Sequence, residues 1–382
     1  MSTPVHLTAH AVANPGAGTV PVWSPYGRAP QELHRKLPEY APSRLLSAPA
    51  LAEKAGVRRV LLKEETSRFG LPSFKLLGAS WACYRALTEH LGTEPGPWAD
   101  IDELAGLLAG LRPFTFAAAT DGNHGRAVAH MARLLGFASR IFVPEGTAQA
   151  RVDALASEGA GVEVVAGSYD DAVARSAQEA GPSCLVISDT SWPGYEQVPR
   201  WVIEGYSTMF WEIADRLDDL ASPLAAGDVV VVPVGVGALA AAAVNHFRRG
   251  ADGPSVVGVE PVDANCVMAS VEAGRMVSVP GPHHSIMAGL NCATPSQVAW
   301  PLLATGLSTL VAVTDDDARR AVRELAALGL AVGETGAAAL AGLEALHGQG
   351  RGPGAGASVL LLCTEGVTDP VGWRSILGLE VL

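Results

Sequence analysis

Cysteine is scarce in this chain, with five in 382 residues and none at metal-ligand spacing. That rules out a disulfide-stapled scaffold and a cysteine-built metal site, and makes a reducing cytoplasm the expected setting. Positive charge is also thin. Twenty-seven Lys and Arg face 39 Asp and Glu, giving a net charge of −12 and a pI near 5.3. No basic face is evident, which argues against nucleic acid as the main partner. Long apolar runs are missing too. The longest, residues 229–244, is interrupted by Pro233, Gly235 and Gly237. Crossing a bilayer takes about 20 apolar residues, so this run reads as a buried strand, turn and helix, and no membrane partner is expected. The opening stretch MSTPVHLTAHAVANPGAG has neither a basic start nor an apolar core, so no signal peptide is expected.

What the chain does have is apolar residues (48%) in a regular alternation. Short β-branched runs give way to Ala-rich helical stretches. VRRVLLKE, FTFAAA, SRIFVP, GVEVVAG, SCLVIS, DVVVVPV, SVVGVEP and SVLLLCT read as strands, and nearly all precede helical patterns. Continuous apolar strands between helices imply an α/β fold with parallel-rich sheets flanked by helices. A long helical pattern over residues 195–220 is placed to bridge two lobes. The expected division is residues 1–88 and 205–382 for a large lobe and 89–204 for a small one. HGQGRGPGAGA (residues 347–357) reads as an exposed loop.

Four segments carry chemistry. SFKLLG (73–78) sets Lys75 behind a small polar residue and an aromatic, at the start of an apolar helix. A lysine held in a crevice loses its proton readily enough to attack an aldehyde. Taken alone it is also an ordinary solvated helix-start lysine. ATDGNHG (119–125) follows a strand and opens a helix. Its backbone N–H groups suit a carboxylate, and Asn123 suits a ring hydroxyl oxygen. The alternative is a plain helix cap by Asp121 or Asn123. PVGVGALA (233–240) brings Gly235, Val236, Gly237, Ala238 and Leu239 to the start of a helix behind the most apolar strand. That is a phosphate cradle by N–H groups and helix dipole, or simply a packing turn. It lacks the dinucleotide fingerprint and the P-loop lysine, which disfavours a nicotinamide-dependent dehydrogenase. Thr364, in CTEGVTDP (363–370), ends a strand where open sheets bind ligands, and its hydroxyl could meet a pyridine nitrogen. Cys363 is the fallback, and a structural strand-end threonine the plain alternative.

Together these segments resemble the fold-type II pyridoxal-phosphate (PLP) enzymes, the two-lobed, tryptophan synthase β-like group that includes threonine synthase and the serine and threonine dehydratases. Within that group the chain is most similar to the diaminopropionate ammonia-lyases. DTSWPGYEQVP (189–199) and MAGLNC (287–292) join the matching segments, which run from about residue 61 to 370. The resemblance implies a homodimer that binds PLP and converts 2,3-diaminopropionate to pyruvate and ammonia. It implies Lys75 as Schiff-base lysine and base for the L-isomer, Asp121 as base for the D-isomer, and Asp189 as a second active-site carboxylate. Cys266 and Cys292 match a family pair near the site entrance, or else are two reduced, packed thiols.

The chain departs from the family pattern at Val367, where an acidic residue is usual. In GETGA (333–337), Glu334 lies near the cofactor or caps the helix that follows. The Val367 change leaves open a second reading, PLP-dependent β-elimination or β-replacement on serine, threonine or another β-substituted amino acid. A non-catalytic amino-acid sensor would be favoured by loss of the lysine, asparagine or glycine turn, and all three are present.

Overall fold

A computed structural model describes residues 8–21, 23, 27–120, 122–248, 250 and 252–379. Its strands are β1 (His10–Ala13), β2 (Leu45–Ser47), β3 (Arg59–Glu64), β4 (Thr115–Ala119), β5 (Ala138–Pro144), β6 (Gly161–Val165), β7 (Cys184–Val186), β8 (Val229–Pro233), β9 (Ser255–Pro261), β10 (Leu307–Val313) and β11 (Ser358–Cys363). Seven form one sheet in the order β1-β10-β9-β8-β11-β3-β2, and four form another in the order β6-β5-β4-β7. The smaller sheet is wholly parallel. The larger is parallel except at its edges, where β1 and β2 pair antiparallel. Short edge strands of this kind blunt the open rims of a sheet. Every strand of the smaller sheet falls within residues 89–204, and every strand of the larger falls outside them.

The central strands are buried on both faces, as continuous Val/Leu runs require: β11 is fully buried and β8 nearly so. One apolar cluster includes Phe116 and Ala118 of β4 and Val230 and Val232 of β8, so it serves both sheets. The helix Lys75–Leu91 is the main beam between them, packing on the helices Asn123–Leu135 and Gln197–Gly205. Its Leu77, Ala79, Ala82, Cys83 and Leu87 are completely buried. Each leucine there is worth roughly 1.5–3 kcal/mol. The helix ends at Gly92 in a left-handed cap (φ 68°). Gly78 is required for close approach, since a Cβ there would lie 2.5 Å from the Tyr206 ring.

The helical pattern over residues 195–220 resolves into two helices, Gln197–Gly205 and Ser207–Asp219, meeting at Tyr206. Gly205 presses onto the Lys75–Leu91 helix, where a Cβ would stand 2.3 Å from the Leu77 carbonyl. The second helix carries Glu212 into a buried ionic cluster. Lys63 Nζ lies 2.7 Å from Glu212, and Arg68 lies 2.7 Å from Glu212 and 2.6 Å from Glu65, all about 1% exposed or less. This cluster fixes the chain between β3 and Lys75.

Candidate functional site

Lys75 is the first residue of its helix, and the segment before it is stitched to the end of β11. Gly366 N–H donates to the Pro72 carbonyl (2.8 Å), and Ser73 forms an isolated antiparallel bridge with Glu365. This places Lys75 in a cleft between the two sheets. Its side chain is 19% exposed, and its amine donates to Asp189 Oδ2 at 2.6 Å. Asp189 is only 4% exposed, and its Oδ1 accepts from the Tyr169 hydroxyl at 3.1 Å. Burial alone would raise the Asp189 carboxyl, but the Lys75 charge, His124 and the two donated hydrogen bonds hold it well below the usual carboxylate range. His124 donates its Nε2–H to the Ile187 carbonyl (2.8 Å), which leaves Nδ1 facing Asp189 at 3.9 Å.

The opposite wall is the turn after β8. Gly235, Val236, Gly237, Ala238 and Leu239 all line the cleft. Gly237 has φ +94°, a left-handed conformation that glycine alone adopts without cost. It opens the helix Ala238–Phe247, whose first N–H groups have no intrahelical acceptor. A Cβ at Gly235 would lie 2.9 Å from the Gly289 carbonyl and 3.2 Å from Cys292 Sγ, so the turn admits no side chain at its tightest point. Cys266 Sγ contacts the Gly235 carbonyl at 3.8 Å. Both cysteines are thiols outside any disulfide, packed about the turn. Burial first, then the neighbouring Glu260 and Cys292, pushes the Cys266 thiol well up, so it is inert as a nucleophile.

The floor is built from both sheets. Thr364 follows β11 and lines the cleft, and its buried Oγ1 has no hydrogen-bond partner among the described residues. Asn123, the first residue of the helix after β4, also lines it. Asn123 is not the helix cap. Thr120 Oγ1 takes that part, accepting from Gly122 N (2.9 Å) and Gly125 N (3.0 Å), which frees the Asn123 side chain for the cleft. Its Nδ2 donates a short hydrogen bond to Glu365 Oε2. Asp121 lies outside the described residues.

A model of the family described as pyridoxal-phosphate dependent enzyme matches residues 36–365. The chain belongs to this family. It is 32% identical over 372 residues to diaminopropionate ammonia-lyase of Escherichia coli K12, covering 91% of this chain and 89% of that one. The solved structure of that E. coli enzyme in complex with D-serine matches at a TM-score of 0.88 and 29% identity, over 97% of both chains. L-serine dehydratase/L-threonine deaminase of Rattus norvegicus is 31% identical over 173 residues, 44% of this chain and 44% of that one.

The residues of this pyridoxal-phosphate-dependent enzyme fit the cofactor. An amine, a glycine turn at a helix N-terminus and a buried hydroxyl without a partner among the described residues line one cleft, matching the aldehyde, phosphate and ring nitrogen of the group. Nine of the ten site residues expected from sequence line this cleft. The tenth is Asp121. The sequence reading passed over Glu365, Tyr169 and His124 as site residues. Glu365 stands beside Thr364 in the TEG triplet, and His124 beside Asn123, so adjacency was the available signal. Tyr169 had none, because it arrives from a helix start 20 residues before Asp189.

Glu334 does not line the cleft. It is buried at the start of the helix Glu334–Gly348, on the wall of a second, outer cavity of about 1910 Å³ that shares Tyr169, Ala288 and Asn291 with the first. Gly333 is the helix N-cap, so Glu334 is not a cap either. Burial, then Glu365 and Asp369, pushes its carboxyl up to about 7 against the opposing pull of Arg151. Among the described residues no helix is long and apolar enough to cross a membrane.

Proposed function

We propose that this enzyme eliminates both amino groups of 2,3-diaminopropionate as ammonia, leaving pyruvate. One water is consumed and two ammonia molecules are released. The observation that carries the reading is the Lys75–Asp189 pair, set in a cleft whose facing wall is the Gly235–Leu239 turn. Similarity to diaminopropionate ammonia-lyase along nine-tenths of the chain supports it.

When bound, the cofactor supplies an electron sink that acidifies the substrate Cα–H. The chain's residues do the rest. Lys75 would hold the cofactor's aldehyde carbon and, as a primary amine, would take the Cα proton of the L-isomer. The turn from Gly235 to Leu239 would hold the phosphate, Asn123 the ring hydroxyl and Thr364 the ring nitrogen. A hydroxyl at that nitrogen does not force its protonation, which suits elimination at the β-carbon over amino-group exchange. Asp189 stays ionised, so it is an anion for the β-ammonium and keeps Lys75 oriented. Tyr169 and His124 hold Asp189 in turn. Asp121 is assigned the proton of the D-isomer on the strength of the ATDGNHG segment.

We place the cofactor-binding lobe at residues 1–88 and 205–382 and the smaller lobe at 89–204, in a cytoplasmic homodimer. A dehydratase acting on serine or threonine is the second reading, favoured by the likeness to the rat dehydratase. Purified protein should absorb in the cofactor's visible band and release pyruvate from D- or L-2,3-diaminopropionate faster than from serine or threonine. Borohydride reduction and peptide mapping should leave the pyridoxyl group on Lys75. Full activity in Lys75→Ala would sink the reading.

A further inference from the structure

Glu365 is the least exposed carboxylate of the cleft, at 1%, and it joins parts of the chain far apart in sequence. It follows β11 on the larger sheet, while its partner Asn123 opens the helix behind β4 on the smaller one. The Glu365 backbone is held from two sides. Gly333 N–H donates to its carbonyl at 3.1 Å, and Ser73 bridges it from the Lys75 segment. Gly336 packs so close that a Cβ would sit 2.6 Å from the Glu365 carbonyl. The carboxylate therefore has a fixed origin.

A carboxylate accepts and does not donate, whereas an amide has one end of each kind. Facing Glu365, the Asn123 amide must present its NH2 group and cannot flip. One N–H is spent on Oε2, and the other is left for an acceptor in the cleft. We propose that Glu365 is a positioning residue that fixes the Asn123 amide for the cofactor's ring oxygen and bolts the two sheets together across the cleft. This rests on the reading of Asn123 as a cofactor contact. Glu334, Asp369 and Arg151 are the other titratable or charged side chains of this neighbourhood.

The test is cofactor affinity, measured by titrating apoenzyme with pyridoxal phosphate and following its absorption band. A hydrogen bond to a charged group is worth about 1.5–3 kcal/mol, so Glu365→Ala should weaken affinity by about tenfold or more. Glu365→Gln keeps an acceptor oxygen but loses the charge and the acceptor-only character, so its loss should be smaller than that of Glu365→Ala. In an Asn123→Ala background, Glu365→Ala should cost less than about twofold, because the group it acts through is gone. Where circular dichroism shows the Ala variant unfolded, Glu365→Met keeps the volume without the acceptor and carries the same comparison. Unchanged affinity in the single variant overturns the proposal. So does a loss that persists in full without Asn123, which is what a merely structural role would give. Either result leaves the lyase reading standing, since wild type still binds the cofactor. A wild-type protein with no cofactor band overturns both.

Discussion

Replacing Glu334 by Gln should flatten the pH dependence of this protein's stability. The carboxyl is 4% exposed and sits beside Glu365 and Asp369, so its proton is held to about pH 7 in the folded chain. In the unfolded chain it leaves near pH 4.3. A folded-state pKa raised in this way gives stability that is complete below the unfolded value and is lost as pH rises through about 7. Between pH 5 and pH 8 the loss amounts to about 2.5 kcal/mol. Gln keeps the shape and never ionises. Urea unfolding of wild type and Glu334→Gln at a series of pH values should show the variant gaining about 2.5 kcal/mol on wild type from pH 5 to pH 8, most of it by pH 7. Parallel curves over that range would refute the reasoning, because they would mean that Glu334 titrates alike in the folded and unfolded chains.

Three further outcomes are expected. Asp189→Asn keeps an acceptor for Tyr169 but removes the charge facing Lys75, so pyruvate formation should fall by about 30- to 100-fold in kcat, against about tenfold for Tyr169→Phe, which loses one hydrogen bond to the ionised carboxylate. Gly237→Ala meets both a left-handed backbone (φ +94°) and the Leu303 methyl, 2.3 Å from the new Cβ. It should cost about 2–5 kcal/mol in urea unfolding and weaken cofactor binding. Glu212→Gln leaves Lys63 and Arg68 with Glu65 as the one remaining anion of the buried cluster and should destabilise by about 3 kcal/mol, measured the same way.

The parts of this molecule that could be read from the sequence are those whose cause is local. The strand, glycine turn and helix from Val229 to Phe247 declare themselves in one apolar run punctuated at Gly235 and Gly237. The helix Lys75–Leu91 begins and ends where its periodicity does. The edge strands β1 and β2 could not be read so, because three or four residues carry no usable alternation and their pairing is made by β10 and β3. The break at Tyr206 was hidden for a similar reason, since it answers to the Leu77 backbone more than 120 positions earlier. In the site, residue types in their motifs pointed to Lys75, Asn123 and Thr364 as cleft residues, while Asp189 came only from the family resemblance. The capping by Thr120 and the placing of Glu334 on the outer cavity depend on side-chain directions that spacing does not encode.

The position of β11 has a consequence for biosynthesis. It is the last strand among the described residues and lies between β3 and β8, pairing with β3 along its length and with β8 at Val359, Leu360 and Leu361. Until the ribosome has released residues 358–365, those two older strands lack their common neighbour and Ser73 has nothing to bridge. A nascent chain stalled before that point therefore carries every strand of the smaller sheet beside a split larger one, and the cleft between them is completed only when β11 slides home.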